Sequence, residues 1–152
     1  MQTQMYSIPH YKVKLVKDRT YKYPCDDIPD ASAAQTVGLH LLKNLPHEEI
    51  IAAYLNSSNK IIGTQTLSMG GLDGAALLPR DIFRGALVCN AAAFIMMHNH
   101  PSGDPTPSKQ DIDVTKRVIQ AGKLLGISLL DHLVIADGRA VSIRDFYTDL
   151  NW

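Results

Sequence analysis

Glutamate is scarce in this chain: Glu48 and Glu49 are the only two, and the other acidic residues are all aspartate. No His-Glu-x-x-His helix is present, so that source of a metal-site general base is excluded. Cysteine is equally sparse. Cys25 and Cys89 stand far apart and form no Cys-x-x-Cys pair. They read as two reduced thiols in a cytoplasmic protein, neither of which needs a function. Net charge is absent as well: 15 Lys and Arg balance 15 Asp and Glu, so no global field attracts nucleic acid or a membrane. No run of 18 apolar residues exists, which gives no transmembrane helix. The N-terminal MQTQMYSIPHYK lacks the apolar centre of a signal peptide. There is no internal repeat and no low-complexity tract. What remains is 152 residues of ordinary apolar content, enough for one domain with a sizeable core.

The informative stretch is Met97 to Asp111. An apolar run, Ala91 to Met97, leads directly into His98-Asn99-His100. The run is short and bounded, so it reads as a buried strand. Alternate strand residues point the same way about 6.5 Å apart, so His98 and His100 can aim two imidazoles at one point. Pro101, Gly103, Pro105 and Pro107 then force an irregular loop. Ser108 reads as the N-cap of a helix with Asp111 at its third position. A carboxylate there lies in the positive end of the helix dipole, which favours its ionised form. Two imidazoles and one carboxylate with a fourth position open make a catalytic zinc set. Spacing alone does not choose among Asp104, Asp111 and Asp113. Asp113 lies about 200° round the helix from Asp111, so those two cannot both face the metal.

Residues 1–29 read as a basic strand and a linker, and residues 30–152 as the globular domain. Tyr11 to Lys17 alternates as a half-exposed strand does. Lys12, Lys14, Lys17, Arg19 and Lys22, interleaved with Tyr11, Tyr21 and Tyr23, fit a lysine-protected edge strand better than a nucleic-acid arm. Pro24 to Pro29 is the linker. A helix is expected over Ala31–Leu45, capped by Ser32 and ended by Pro46, with Val37, Leu41 and Leu45 on one face. Glu48–Leu55 is a buried strand, Asn56–Asn59 a turn, and Lys60–Thr66 its hairpin partner. Ser68–Gly74 is a glycine-rich loop that either lines a groove or merely connects. Leu78–Asn90 is a second helix, with Pro79 in its first turn. The motif helix runs from Ser108 to Leu125 and stops at Gly126. Ser128–Ala136 is an apolar strand, Asp137-Gly138 a hairpin turn and Ala140–Ile143 the return. Asp145–Trp152 is expected to form a short helix. The expected fold is α/β (α+β), with helices packed on a mixed sheet.

His98-x-His100-Pro101, followed by Ser108-x-x-Asp111, resembles the JAMM motif of the JAB/MPN+ metalloprotease superfamily. The longer string HNHPSGDPTPSKQDIDVT is similar to the RadC branch in particular. Pro79 to Phe83, Asn90 to Ala92 and Leu130-Asp131-His132 extend the likeness, which covers roughly Asp30 to the C-terminus. The resemblance implies an MPN fold, related in layout to cytidine deaminases, although the deaminases' Pro-Cys-x-x-Cys is absent. It implies zinc held by His98, His100 and Asp111, and a serine, Ser108, that helps to stabilise an oxyanion. A hydroxyl can accept a backbone N–H and donate outward together, so this role is compatible with capping.

Either glutamate could serve as general base on spacing alone. In the RadC family a glutamate stands eight residues before the Asp or Asn that opens the hairpin turn, and counting back from Asn56 gives Glu48. Glu49 leaves on the opposite face of the strand. His132 is either a partner to a ligand or, preferably, a satisfied core histidine. The implied activity is cleavage of a peptide or isopeptide bond near an extended tail of a protein substrate. The competing reading is a DNA-repair-associated or DNA-binding protein whose metal site does no proteolysis. Longer RadC relatives carry a helix-hairpin-helix-like region for which this chain has no room. An imidazole-rich set also suits zinc rather than magnesium and phosphodiesters. A binding module that lost turnover is a third reading, opposed by the complete set of Glu, His, Ser and Asp.

Overall fold

The computed structural model describes residues 7–70 and 77–152. Its strands are β1 (Glu49–Leu55), β2 (Ile61–Met69), β3 (Ala93–Asn99), β4 (Ser128–Ala136) and β5 (Arg139–Ser142). Its helices are α1 (Ala31–Leu42), α2 (Pro79–Val88), α3 (Lys109–Leu125) and the short α4 (Ile143–Phe146), followed by a 3-10 turn at Thr148–Leu150. The strands form one sheet in the order β2-β1-β3-β4-β5. Only β3 and β4 run parallel, and α3 supplies the crossover that a parallel pair needs. The expected mixed sheet flanked by helices is therefore present.

The two central strands explain the layers. β1 and β3 carry apolar residues at consecutive positions, so both of their faces need cover. Ile50, Tyr54, Phe94 and Met96 pack with Ile82 and Phe83 of α2 and with Val114 and Val118 of α3. Ile51, Ala53, Ile95 and Met97 pack on the other face with Val37 and Leu42 of α1. His98 and His100 follow Met96 by twos and so look toward α3.

β4 would put its polar residues on the wrong face but for a bulge. Phe94 pairs with Leu129, yet Ile95 pairs with Asp131, so Leu130 is an extra residue. The one-residue slip reverses the phase of the strand beyond it. His132 is thereby set beside Met96 on the α3 side. Buried Asp131 fixes the corner, accepting from His132 N at 2.7 Å and Ser142 Oγ at 2.9 Å.

Several expectations need correction. α1 is capped by Asp30, whose Oδ1 accepts Ala33 N at 2.9 Å, not by Ser32. It ends at Leu42 rather than Leu45, because Lys43 turns to extended backbone at ψ 132° and Asn44 follows in the left-handed region at φ 60°. β3 begins at Ala93 rather than Ala91; within it His98 pairs with Ile50 and Val134, and Asn99 pairs with Ile135 of β4. β2 likewise continues to Met69, so Ser68 and Met69 are not loop; residues 71–74 of the expected loop lie outside the described residues. The expected strand Tyr11–Lys17 is not formed. Val13 and Leu15 are 75% and 62% exposed, and among the described residues no strand pairs with the segment. The expected linker instead docks: Asp27 bridges Lys60 at the β2 edge, and Ile28 is buried in the core. The Asp137-Gly138 turn is as read, with φ 48° and 68° at its two residues.

Gly122, on the buried face of α3, lies so close to the carbonyl of Ile127 that an added Cβ would press into backbone. Gly122→Ala should therefore destabilise the protein by about 1–3 kcal/mol. An unchanged urea midpoint would show that the approach of α3 to β4 is looser than described.

Candidate metal centre

Three side chains converge where the end of β3 meets the start of α3. His98 Nε2 lies 2.9 Å from His100 Nε2 and 3.2 Å from Asp111 Oδ1, and His100 Nε2 is 3.5 Å from Asp111 Oδ2. Their donor atoms all fall within 4.8 Å of one another, forming a cluster that could hold a metal ion. His98 and Asp111 are buried, and His100 is half-buried at the opening.

The local sequence explains the convergence. Ser108 caps α3 with its Oγ accepting Asp111 N at 3.1 Å, and Asp111 Oδ2 accepts Ser108 N at 2.6 Å. This reciprocal capping box fixes the carboxylate rotamer and aims its free edge at the histidines. His100 is oriented from behind, its Nδ1 donating to the backbone carbonyl of Asp104 at 2.8 Å. In the neutral ring its Nε2 is then a bare lone pair facing the cluster.

The profile of the RadC-like JAB domain family matches residues 28–148 of the chain. The chain belongs to that family. A UPF0758 protein of Caldanaerobacter subterraneus subsp. tengcongensis is 45% identical over 104 residues, which cover 68% of this chain and 45% of that relative. A UPF0758 protein of Methanosarcina mazei is 48% identical over 98 residues, covering 64% and 43%. One from Bacillus pumilus is 47% identical over 104 residues, covering 68% and 46%. The chain thus spans a little under half the length of these relatives.

Within this RadC-like JAB domain, the rival aspartates separate cleanly. The Asp104 carboxylate accepts from Thr106 N and Oγ1, and only its backbone serves His100. Asp113 is exposed on the far side of α3. Asp111 alone joins the histidines. Burial opposes its ionisation, but hydrogen bonds with His100 and Ser108 outweigh that and hold its carboxyl well below the usual range. The bond to Asp111 is also the main cause that raises His100, helped by the Asp104 carbonyl and by the charges of Asp111 and Glu48.

The influence of Glu48 on His100 reflects the sheet register. Ile50 pairs with His98, and Glu48 and His100 lie just past that pair on the two chains, near enough for the charge of Glu48 to act on His100. Glu49 turns away and bonds His47 Nε2 at 2.9 Å. His132 is fully buried, with Nε2 2.9 Å from His98 Nδ1. It touches a candidate ligand, and its contacts are all within the core. Burial and then the neighbouring His98 drive its pKa well below the ordinary value.

Two contributors were not recognised from sequence. Asn99 points to the face opposite its flanking histidines, where its Oδ1 accepts Glu49 N at 2.8 Å and its Nδ2 donates to His47 O at 2.9 Å. It thus clamps the backbone on both sides of Glu48. The alternation of a strand was the available signal, since a residue between two inward histidines faces the other way. Thr115 was the second, its Oγ1 2.7 Å from His132 Nδ1. Its signal was the i+4 spacing from Asp111.

Asp111→Asn should weaken zinc binding at least tenfold, since loss of the charge leaves two neutral ligands, while Asp104→Asn should change it little. The reverse ranking in a chelator competition would mean the wrong carboxylate is assigned. A further expectation concerns protons. His100 holds its proton to a higher pH than a free imidazole, so a metal must displace it. Apparent affinity should fall as pH drops through that raised value, and near neutral pH binding should release up to about one proton. Identical calorimetric enthalpies in buffers of different ionisation heat would contradict this.

Proposed function

We propose that this domain is a zinc-dependent peptidase of the JAMM type, hydrolysing a peptide or isopeptide bond in an extended tail of a protein substrate. The observation that carries the reading is the convergence of His98, His100 and Asp111, and the charge of Glu48 acting on His100 supports it. Two imidazoles and one carboxylate suit zinc; an oxygen-only set would suit magnesium. When bound there, zinc supplies a Lewis acid for the scissile carbonyl and acidifies a water.

The chain's own residues do the rest. Glu48 takes a proton from the attacking water and returns it to the departing nitrogen, so acid and base are one group used twice. Its half-buried place at the head of β1 keeps it at the opening, and Asn99 holds its backbone. Ser108 accepts Asp111 N with its oxygen, which leaves its proton to donate to the carbonyl oxygen as negative charge builds. The layout shared with cytidine deaminases belongs to this reading, as does a cytoplasmic location; no described helix is long and apolar enough to cross a membrane.

A second reading, a DNA-associated protein, is favoured by the exposed basic segment around Lys12, Lys14 and Lys17. It predicts duplex binding that weakens with salt and with alanine at those lysines.

The deciding experiment is a peptide-library digest by the zinc-loaded protein, with Glu48→Gln as the blank. Glu48→Gln should keep zinc and melting temperature while the rate falls by roughly 10²–10⁴-fold. Glu49→Gln should do neither. Loss of zinc from Glu48→Gln would make Glu48 a ligand, and retained activity would place the base elsewhere.

A further inference from the structure

We infer that Thr115, acting through His132, decides which nitrogen of His98 is free to bind a metal. The inference rests on the zinc reading above and adds a positioning residue to it. Thr115 Oγ1 lies 2.6 Å from the carbonyl oxygen of Asp111 and 2.7 Å from His132 Nδ1. The carbonyl carries no proton, so the hydroxyl gives its only one there. Toward His132 the hydroxyl can then only accept, so His132 is protonated on Nδ1.

His132 is 1% exposed, and its ring nitrogens bond Thr115 and His98 with no carboxylate on either. A ring so buried is neutral, so its Nε2 is bare and accepts from His98 Nδ1 at 2.9 Å. His98 is thereby fixed as the Nδ1–H tautomer, with a bare Nε2 facing Asp111 and His100. The opposite tautomer would aim an N–H at the same point and block a metal. His100 reaches the same state more directly, through the Asp104 carbonyl. One ligand is thus set by the loop and the other by the core.

Thr115 forms no described contact with the three candidate ligands other than the Asp111 backbone carbonyl, and this makes it separable from them. Without its hydroxyl, His132 loses the acceptor for Nδ1–H. It can then adopt the other tautomer, donate Nε2–H to His98 Nδ1 and push the His98 proton onto Nε2. Thr115→Val keeps the volume and removes the hydroxyl; Thr115→Ser keeps the hydroxyl.

The tautomers are read by long-range ¹H–¹⁵N NMR on the metal-free protein, and zinc affinity by competition with a chromophoric chelator. Wild type and Thr115→Ser should show His98 and His132 protonated on Nδ1 and bind zinc alike. Thr115→Val should bind zinc about 10- to 100-fold more weakly, with the His98 proton moved to Nε2. Should that variant not fold, the wild-type spectrum alone decides. His98 protonated on Nε2 in a wild type that binds zinc overturns the inference, as does undiminished affinity in Thr115→Val. A wild type that shows the assigned tautomers but takes no zinc overturns the metal reading, and the role given to Thr115 falls with it.

Discussion

The carboxylate of Asp111 joins the first turn of α3 to the end of β3, and it does so at 1% exposure. A charge that deep is tolerated only when it is paired and hydrogen-bonded. Here the Ser108 N–H, the His100 imidazole and the positive end of α3 meet that demand together. The requirement runs both ways. The helix cannot start elsewhere without stranding the carboxylate, and the histidines cannot turn away without leaving it unpaired. Among the described residues no buried side-chain nitrogen or oxygen lacks a partner, so the cluster is integral to the core.

The sheet supplies what the cluster lacks. Antiparallel pairing of β1 with β3 brings the head of β1 to the end of β3, where the charge of Glu48 acts on His100. Asn99 then ties the head of β1 down from the opposite face. The bulge at Leu130 is the least obvious device. It lets the start of β4 pack Leu129 into one core while the rest of the strand turns His132 toward His98. A regular strand would have left a neutral, buried imidazole facing the aliphatic packing of α1.

Much of this was legible in the residues. The burial of β1 and β3 follows from their unbroken apolar runs, and the capping box from Ser108 three places before Asp111. The choice of Asp111 over Asp104 was not legible from spacing. It depends on the Asx-type bonds to Thr106 that engage the Asp104 carboxylate. The bulge was invisible because Leu129 and Leu130 suit either face. Ser32 and Asp30 are both good caps, and only the backbone at Asp30, with φ −152°, distinguishes them. The alternation in Tyr11–Lys17 is a true strand pattern, but no described strand pairs with it. Periodicity reports what a segment can form, while a sheet edge decides what it does form.

The candidate ligands come from one strand, the loop after it and the first turn of the next helix, all within the parallel β3–α3–β4 unit. Glu48 comes from outside that unit, at the head of β1, which joins β3 by antiparallel pairing. The proposed site therefore divides its labour along the chain. The groups that could hold an ion lie on one contiguous unit, and the group proposed to move protons lies on another. A change that loosened β1 from β3 would leave the ion-holding cluster in place and carry the proton-moving group away from it.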